Sequence, residues 1–406
     1  MGKKEGKRKL PLATKIFMAL VLAIIAGLAL LPCPDVAAKY IKPFGTIFLN
    51  LIKWIVCPLV FFSIMAGVIS MRDIRKIGSI GVKTIAYYML TTAFAITIGL
   101  ILASLFNGMF PVLQTSGLSY KAAASVSFMD TLVGLFPANF IKPFLDANML
   151  QIIVASLIVS FALLLMSGGQ PSKTFDFVET ANDICMKAME MIIAFSPIGV
   201  FCLLCPVVAT NGPAVLGSLA AVLLIAYLAY CIHMLIVYSF TVKVLGKLNP
   251  ITFFRGMFPA MIFAFSSASS VGTLPINKDC TEKLGADKNI TSFVLPLGAT
   301  INMDGTAIYQ GVCAIFIASC FGISLSFSQM ITIVLTATLA SIGTAGVPGA
   351  GMVMLAMVLE AVGLPVEGIA LVAGVDRIFD MGRTVVNITG DASCAVVVSA
   401  MENNKK

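Results

Sequence analysis

The chain has 406 residues, 59% of them hydrophobic and 11% charged, with a mean hydropathy of +1.00 and a formal net charge of +8 from 27 Lys and Arg against 19 Asp and Glu. Soluble domains carry roughly 25% charged residues, so a water-exposed globule is excluded and the chain reads as an all-α polytopic membrane protein. The positive surplus does not indicate nucleic acid, because no polar domain remains to display a basic patch.

The N-terminal MGKKEGKRKL, the apolar run 16–31 and the following DVAAKY imitate a signal peptide with a small-residue cleavage site. The many later apolar runs favour an uncleaved first span. Further runs close to the length of a membrane crossing at 44–70, 84–106, 149–166, 184–210 and 214–242 bring the total to six. The region 107–147 is the longest external connection, with short interfacial or broken helices expected in its LVGLF and FIKPFL pieces. Beyond Leu245 the pattern changes. Two stretches, 252–276 and 330–362, are apolar but interrupted by Ser, Gly and Pro, and each precedes a long helix, 290–322 and 366–400, that carries charges. Reading each interrupted stretch as a re-entrant hairpin leaves eight transmembrane helices with both termini on one side. On that side fall 20 of the 27 Lys and Arg. Lys39, Lys42, Lys121 and Lys142 fall opposite, and Lys53, Arg377 and Arg383 lie within spans. The positive-inside rule then predicts cytoplasmic termini, and the chain as a whole is read as a multi-pass protein of the cytoplasmic membrane.

The last helix holds the most informative segment, VDRIFDMGRTVVNITGD. Helical spacing puts Asp376, Asp380, Arg383, Thr384, Asn387 and Asp391 on one stripe about 100° wide. One acid in a membrane helix costs about 2.5 to 3.5 kcal/mol even on the milder insertion scale, so this stripe faces a polar interior or a pathway. In TINMDGT, the residues Asn302, Asp304 and Thr306 surround Gly305 at membrane depth; local unwinding there would expose backbone carbonyls and, with the carboxylate, make a hard-oxygen site suited to Na+. The hairpin tips, SSASSVGTLP and SIGTAGVPGAG, supply small hydroxyls, glycines and a proline, so backbone N–H groups and helix N-termini can point at an anion. Two such interrupted segments in corresponding positions indicate the midplane site of a secondary transporter.

Other residues carry less. The ten cysteines read as small buried hydrophobes, Cys202 and Cys205 forming an unaccompanied C-x-x-C. His233, the one histidine, reads as a packed side chain, since no nucleophile accompanies it. Trp54 and the Tyr87–Tyr88 pair read as interfacial anchors, although Tyr88, Thr91 and Thr92 share a face that could offer oxygens to a cation. Paired aspartates on two helices also leave open an intramembrane aspartyl protease, which would need neither Arg383 nor the hairpins; a gated anion channel is a third class.

These motifs resemble the glutamate transporter family, the dicarboxylate/amino acid:cation symporters, along essentially the whole chain. The resemblance implies inverted repeats, a homotrimer and elevator-type movement. Residues 1–75 (helices 1 and 2) and 111–210 (helices 4 and 5) would be scaffold. Residues 76–110 (helix 3) and 211–406 (helix 6, hairpin 1, helix 7, hairpin 2 and helix 8) would move as the transport domain. It also implies an acidic amino acid bound with its amino group on Asp380 and its side-chain carboxylate on Arg383, the pocket completed by Thr384, Asn387, Thr306 and the backbone around Ser270, Val347 and Gly351. Three Na+ sites are implied, one at Asp391, Asn387, Asn302 and Gly298, a second at Thr300, Ser341, Ile342 and Thr344, and a third at Tyr88, Thr91, Thr92, Asn302 and Asp304. Asp304 and Asp391 favour Na+ over H+ coupling. Arg383 favours an acidic over a neutral amino acid, and Asp380 an amino acid over a plain C4-dicarboxylate. Ala268 stands where some prokaryotic members carry arginine; Arg377, beside Asp376, is expected to supply that charge, and both act as modulators of the site.

Overall fold

The computed structural model describes residues 12–70, 79–110, 112, 133, 136–146, 148–168, 172–212, 214–341 and 350–403. The charged ends of the chain, residues 71–78 and most of LVGLF lie outside them, as do Ile342, Thr344 and Val347. Among the described residues all regular structure is helical. The principal elements are α1 (Leu12–Ala29), α2 (Lys42–Ser70), α3 (Ser79–Leu105), α4 (Met149–Ser167), α5 (Lys173–Ala194), α6 (Ser196–Asn211) and α7 (Ala214–Ile232). After them come α8 (Pro250–Ser267), α9 (Ser270–Lys283), α10 (Lys288–Ile301), α11 (Asp304–Cys320), α12 (Phe327–Ala340), α13 (Ala350–Ala361) and α14 (Asp376–Asn403). The FIKPFL piece contains the short helix Lys142–Leu145.

Helix ends follow local chemistry. Asn249 accepts a hydrogen bond from the Ile251 N–H and precedes Pro250 at the first helical position, where a missing N–H costs nothing. Ser326 and Gln329 form a reciprocal capping box for α12. In the first interrupted stretch, α8 ends at Ala268, whose backbone is left-handed (φ 49°), and Ser269 caps α9 by accepting the Gly272 N–H. The chain therefore turns within SSASS, as its composition predicts. The unwinding expected around Gly305 occurs just before it: Asn302 and Met303 leave helical geometry between α10 and α11.

Among the described residues, four helical stretches are long and apolar enough to cross a membrane, 79–105, 217–244, 288–320 and 376–402, and a fifth if the bent pair α5 and α6 is one span. Shorter apolar helices occur at 14–29, 57–69, 151–167, 327–340 and 351–361. The single span expected at 184–210 is instead bent by 53°, with Phe195 separating α5 from α6.

Burial sorts the helices. The apolar window of 288–320 is 94% buried and that of 376–402 is 89%, against 44% for 79–105 and 39% for 217–244. Helices α10, α11 and α14 are thus the centre, with α14 packed against both α10 and α11 and α3 lying along α11. Outer helices turn Phe17, Leu22, Phe44, Leu90, Phe94, Ile184, Leu224 and Leu235 outward, an apolar exterior that suits lipid rather than water. Cys33 and Cys231 are exposed, a departure from the expected burial, whereas Cys185, Cys202, Cys205, Cys280, Cys313, Cys320 and Cys394 are buried. Tyr87 and Tyr88 are buried as well. The anchor reading fails for them because α3 turns this face inward against α10 and α14.

Candidate functional site

The stripe predicted on α14 is buried, and its N-terminal part, from Asp376 to Arg383, is internally paired. Arg383 donates from Nε to Asp380 Oδ1 at 2.9 Å and from Nη1 to Asp376 Oδ1 at 3.1 Å. Its Nη2 is 2.8 Å from Asp380 Oδ1. The guanidinium lies 4.8 Å over the Tyr309 ring, which itself packs on Phe379, so a planar cation is held by two carboxylates and an aromatic face. Gly351, the first residue beyond Ala350 on α13, approaches so closely that a Cβ there would collide with the guanidinium. Arg377 reaches the tip of the first hairpin, donating from Nη2 to the Ser267 carbonyl at 3.2 Å, while its Nη1 lies 3.6 Å from Asp380 Oδ2. Thr384 donates to the Asp380 carbonyl one turn back, and Ser270 is buried in the first turn of α9.

A second cluster surrounds the break between α10 and α11. Asn302 donates from Nδ2 to Asp391 Oδ1 at 2.9 Å and to the Asn387 carbonyl at 3.0 Å. Its own Oδ1 is buried without a hydrogen-bond partner. Gly298 needs to be glycine, since an added Cβ would meet the Asp391 carboxylate and the Tyr88 hydroxyl. Tyr88 donates to the Val294 carbonyl at 3.0 Å. Asp304 accepts from Thr92 at Oδ1 (2.6 Å) and from Tyr238 at Oδ2 (2.7 Å), with His233 Nε2 at 3.2 Å from that same Oδ2.

Asn387 completes this second cluster. Its Oδ1 accepts the Gly305 N–H at 2.8 Å, and its Nδ2 is 3.5 Å from Thr306 Oγ1 and 3.3 Å from Met303 Sδ. The structure thus brings together Tyr88, Thr92, Gly298, Asn302, Asp304, Asn387 and Asp391. Thr91 and Thr300 spend their hydroxyls on carbonyls of their own helices, as does Ser341. Among the described residues no hydrogen bond links Thr300 with Ser341.

Sequence reasoning missed three members. His233 is not a bystander, because its ring contacts Asp304. Tyr238 escaped notice because it stands out of α-helical phase with His233. Tyr309 follows the NMDGT segment as one aromatic in a largely apolar helix and gave no signal. The rarity of histidine within a span was the one available hint.

Charge accounting separates the clusters. Asp376 and Asp380 are balanced by Arg377 and Arg383. Asp304 and Asp391 are 0% and 1% exposed, and among the described residues neither has a Lys or Arg partner. Two buried carboxylates cost several kcal/mol each unless neutralised; besides the His233 ring and the Tyr238 hydroxyl on Asp304, oxygens stand close by, the unpartnered Asn302 Oδ1 and the hydroxyls of Thr92 and Tyr88. Such a set fits hard monovalent cations.

A family model described as the sodium:dicarboxylate symporter family matches residues 12–401. A proton/sodium-glutamate symport protein of Bacillus caldotenax is 38% identical over 405 residues, covering 97% of this chain and 95% of the relative. A proton/glutamate-aspartate symporter of Escherichia coli is 35% identical, covering 97% and 94%. Excitatory amino acid transporter 2 of Homo sapiens is 34% identical, covering 97% of this chain and 79% of its own length. Matched from end to end by the family model and by relatives of this similarity, the chain belongs to the sodium:dicarboxylate symporter family.

Proposed function

We propose that the protein is a secondary active symporter that couples Na+ influx to uptake of an acidic amino acid, aspartate or glutamate, by alternating access. The observation that carries this reading is the pair of buried carboxylates without a Lys or Arg partner among the described residues, Asp304 and Asp391, beside a pair of carboxylates already matched to arginine. Na+ is the cation that neutralises the first pair. The names of the bacterial relatives, which include glutamate, aspartate, protons and sodium, support the same substrate class. The family is one of symporters, so the protein transports and is not an enzyme; the protease reading falls.

The second pair defines the substrate. An α-amino acid with a side-chain carboxylate carries an ammonium suited to Asp380 and a carboxylate suited to Arg383. It can exchange with the Arg383–Asp380 pair without a net change in buried charge, whereas a neutral amino acid would leave the guanidinium short of an anion. Thr306, Thr384 and Asn387, with the backbone around Ser270, Val347 and Gly351, complete the pocket. One Na+ takes Gly298, Asn302, Asn387 and Asp391; a second takes Tyr88, Thr91, Thr92, Asn302 and Asp304; a third takes Thr300, Ser341, Ile342 and Thr344 at the second hairpin. In this reading Asn387 serves both the substrate pocket and a Na+ site, so ordering either one favours the other, which is the physical content of coupling.

The same reading includes eight transmembrane helices, two re-entrant hairpins related by inverted repeats, cytoplasmic termini in the cytoplasmic membrane and a homotrimer. Scaffold segments 1–75 and 111–210 stay fixed while 76–110 and 211–406 move as an elevator. The apolar outer surface and the central burial of α10, α11 and α14 support it.

Proteoliposome uptake of labelled aspartate tests the central claim. An inward Na+ gradient is expected to drive accumulation and a H+ gradient alone is not; accumulation on H+ alone would overturn Na+ coupling. Arg377 gives a second check. Its positive charge lies beside Asp380 and its side chain ties helix α14 to the first hairpin, so Arg377→Ala is expected to raise the KM for aspartate about fivefold, equivalent to ~1 kcal/mol. Unchanged kinetics would remove Arg377 from the site.

A further inference from the structure

His233 and Tyr238 are five residues apart. On an α-helix, five residues advance about 500°, which leaves the two side chains about 140° apart and unable to meet one atom. Here they do meet one, Asp304 Oδ2, because the backbone from His233 to Tyr238 is π-helical. The wider turn brings residues five apart onto one face, and short π segments within α-helices recur at functional sites. The two rings stand edge to face, centroids 4.8 Å apart at 79°. A carboxylate oxygen only accepts, so Tyr238 donates its O–H and His233 its Nε2–H. Nδ1 of His233 is buried without a hydrogen-bond partner. Both groups are fully buried.

We propose that His233 and Tyr238 form a two-donor clamp, built by the π segment, that fixes the Asp304 carboxylate for its cation. They are positioning residues, and the proposal rests on the assignment of Asp304 to a Na+ site made above. A carboxylate oxygen has two lone pairs, and the clamp occupies both on Oδ2. That leaves Oδ1, shared with the Thr92 hydroxyl, to coordinate the ion through a single oxygen. With the carboxylate held beforehand, Na+ binding does not have to order it.

The test uses the full-length protein with Na+ as the probe. Na+-dependent thermal stabilisation is measured without substrate, and the Na+ dependence of aspartate uptake is measured in proteoliposomes. Tyr238→Phe keeps the ring and its packing while removing the donor, so it remains informative even where His233→Ala does not fold. Tyr238→Phe and His233→Ala are each expected to raise the half-saturating Na+ concentration about tenfold, the loss of one charge-assisted hydrogen bond. At saturating Na+, the maximal uptake rate returns to within about twofold of wild type, a split that general loss of structure would not produce. His233→Gln, which retains an N–H donor, is expected to recover most of the Na+ affinity lost in His233→Ala. Wild-type Na+ dependence in folded Tyr238→Phe, or a His233→Gln no better than the alanine variant, overturns the clamp alone. A wild-type protein whose stability and uptake ignore Na+ overturns the cation site and the clamp with it.

Discussion

Arg383→Ala is expected to reduce uptake of aspartate and glutamate by on the order of 100-fold or more, while uptake of alanine or serine through the same pocket is spared. The guanidinium makes several parallel contacts to carboxylates and rests on Tyr309, an arrangement that a lysine cannot reproduce. Removing one partner of a buried charged pair costs about 2 to 5 kcal/mol, most of it from the anion left without its match. In the variant that anion is the substrate's side-chain carboxylate, and a neutral amino acid has none. The same arithmetic applies to the protein's own Asp376 and Asp380, so Arg383→Ala should also melt at a lower temperature than wild type. A paired Asp376→Asn exchange should restore part of that loss without restoring aspartate uptake. The decisive measurement is parallel uptake of labelled aspartate and labelled serine in proteoliposomes. Equal loss for both substrates would show that Arg383 supports the fold and does not select the substrate.

Asp391→Asn is expected to be the second large effect. The substitution preserves shape and a carbonyl oxygen that can still accept the Asn302 amide, so the hydrogen bond linking α10 to α14 can survive. What disappears is the charge, in a place where burial makes each electrostatic contact strong. The Na+ concentration needed for half-maximal uptake should rise by on the order of 100-fold, equivalent to about 3 kcal/mol. Stability in the absence of Na+ should hold or increase, because a buried carboxylate without a cationic partner is itself a burden. A variant that keeps wild-type Na+ dependence would remove Asp391 from ion binding. The sign of the stability change distinguishes ion binding from a structural role, which predicts a loss in both media.

Much of this site was legible from residue order alone, and the reasons are specific. Charges in an apolar helix are costly, so Asp376, Asp380, Arg383 and Asp391 announced a shared inward face, and helical spacing supplied it. Serine and glycine clusters announced the turn at Ala268. The unwinding near Gly305 was also foreseeable, but the chain opens at Asn302 and Met303, because Gly305 already stands in the first turn of α11. Its N–H has no partner within the helix there and bonds the Asn387 side chain instead. The bend at Phe195 was hidden because a hydropathy window registered only 184–210, whereas the amphipathic α5 begins earlier and carries Asp176, Glu179, Asp183, Lys187 and Glu190. Tyr87 and Tyr88 looked interfacial because the partners that bury them, from α10 and α14, are distant in sequence. Family resemblance supplied roles for the ligands but nothing about His233 and Tyr238, whose meeting depends on backbone register.

That register has a consequence on the scale of single codons. A π turn accommodates one more residue than an α turn, so the geometry at Asp304 depends on the number of residues between His233 and Tyr238 as much as on their identity. Losing one codon from Met234 to Val237 would leave the imidazole and the phenol four positions apart, a spacing that an ordinary α-helix also brings onto one face. Gaining one would separate them again. Insertions and deletions in this segment are therefore unequal in effect, and the shorter helix is the one that can keep its grip on the carboxylate.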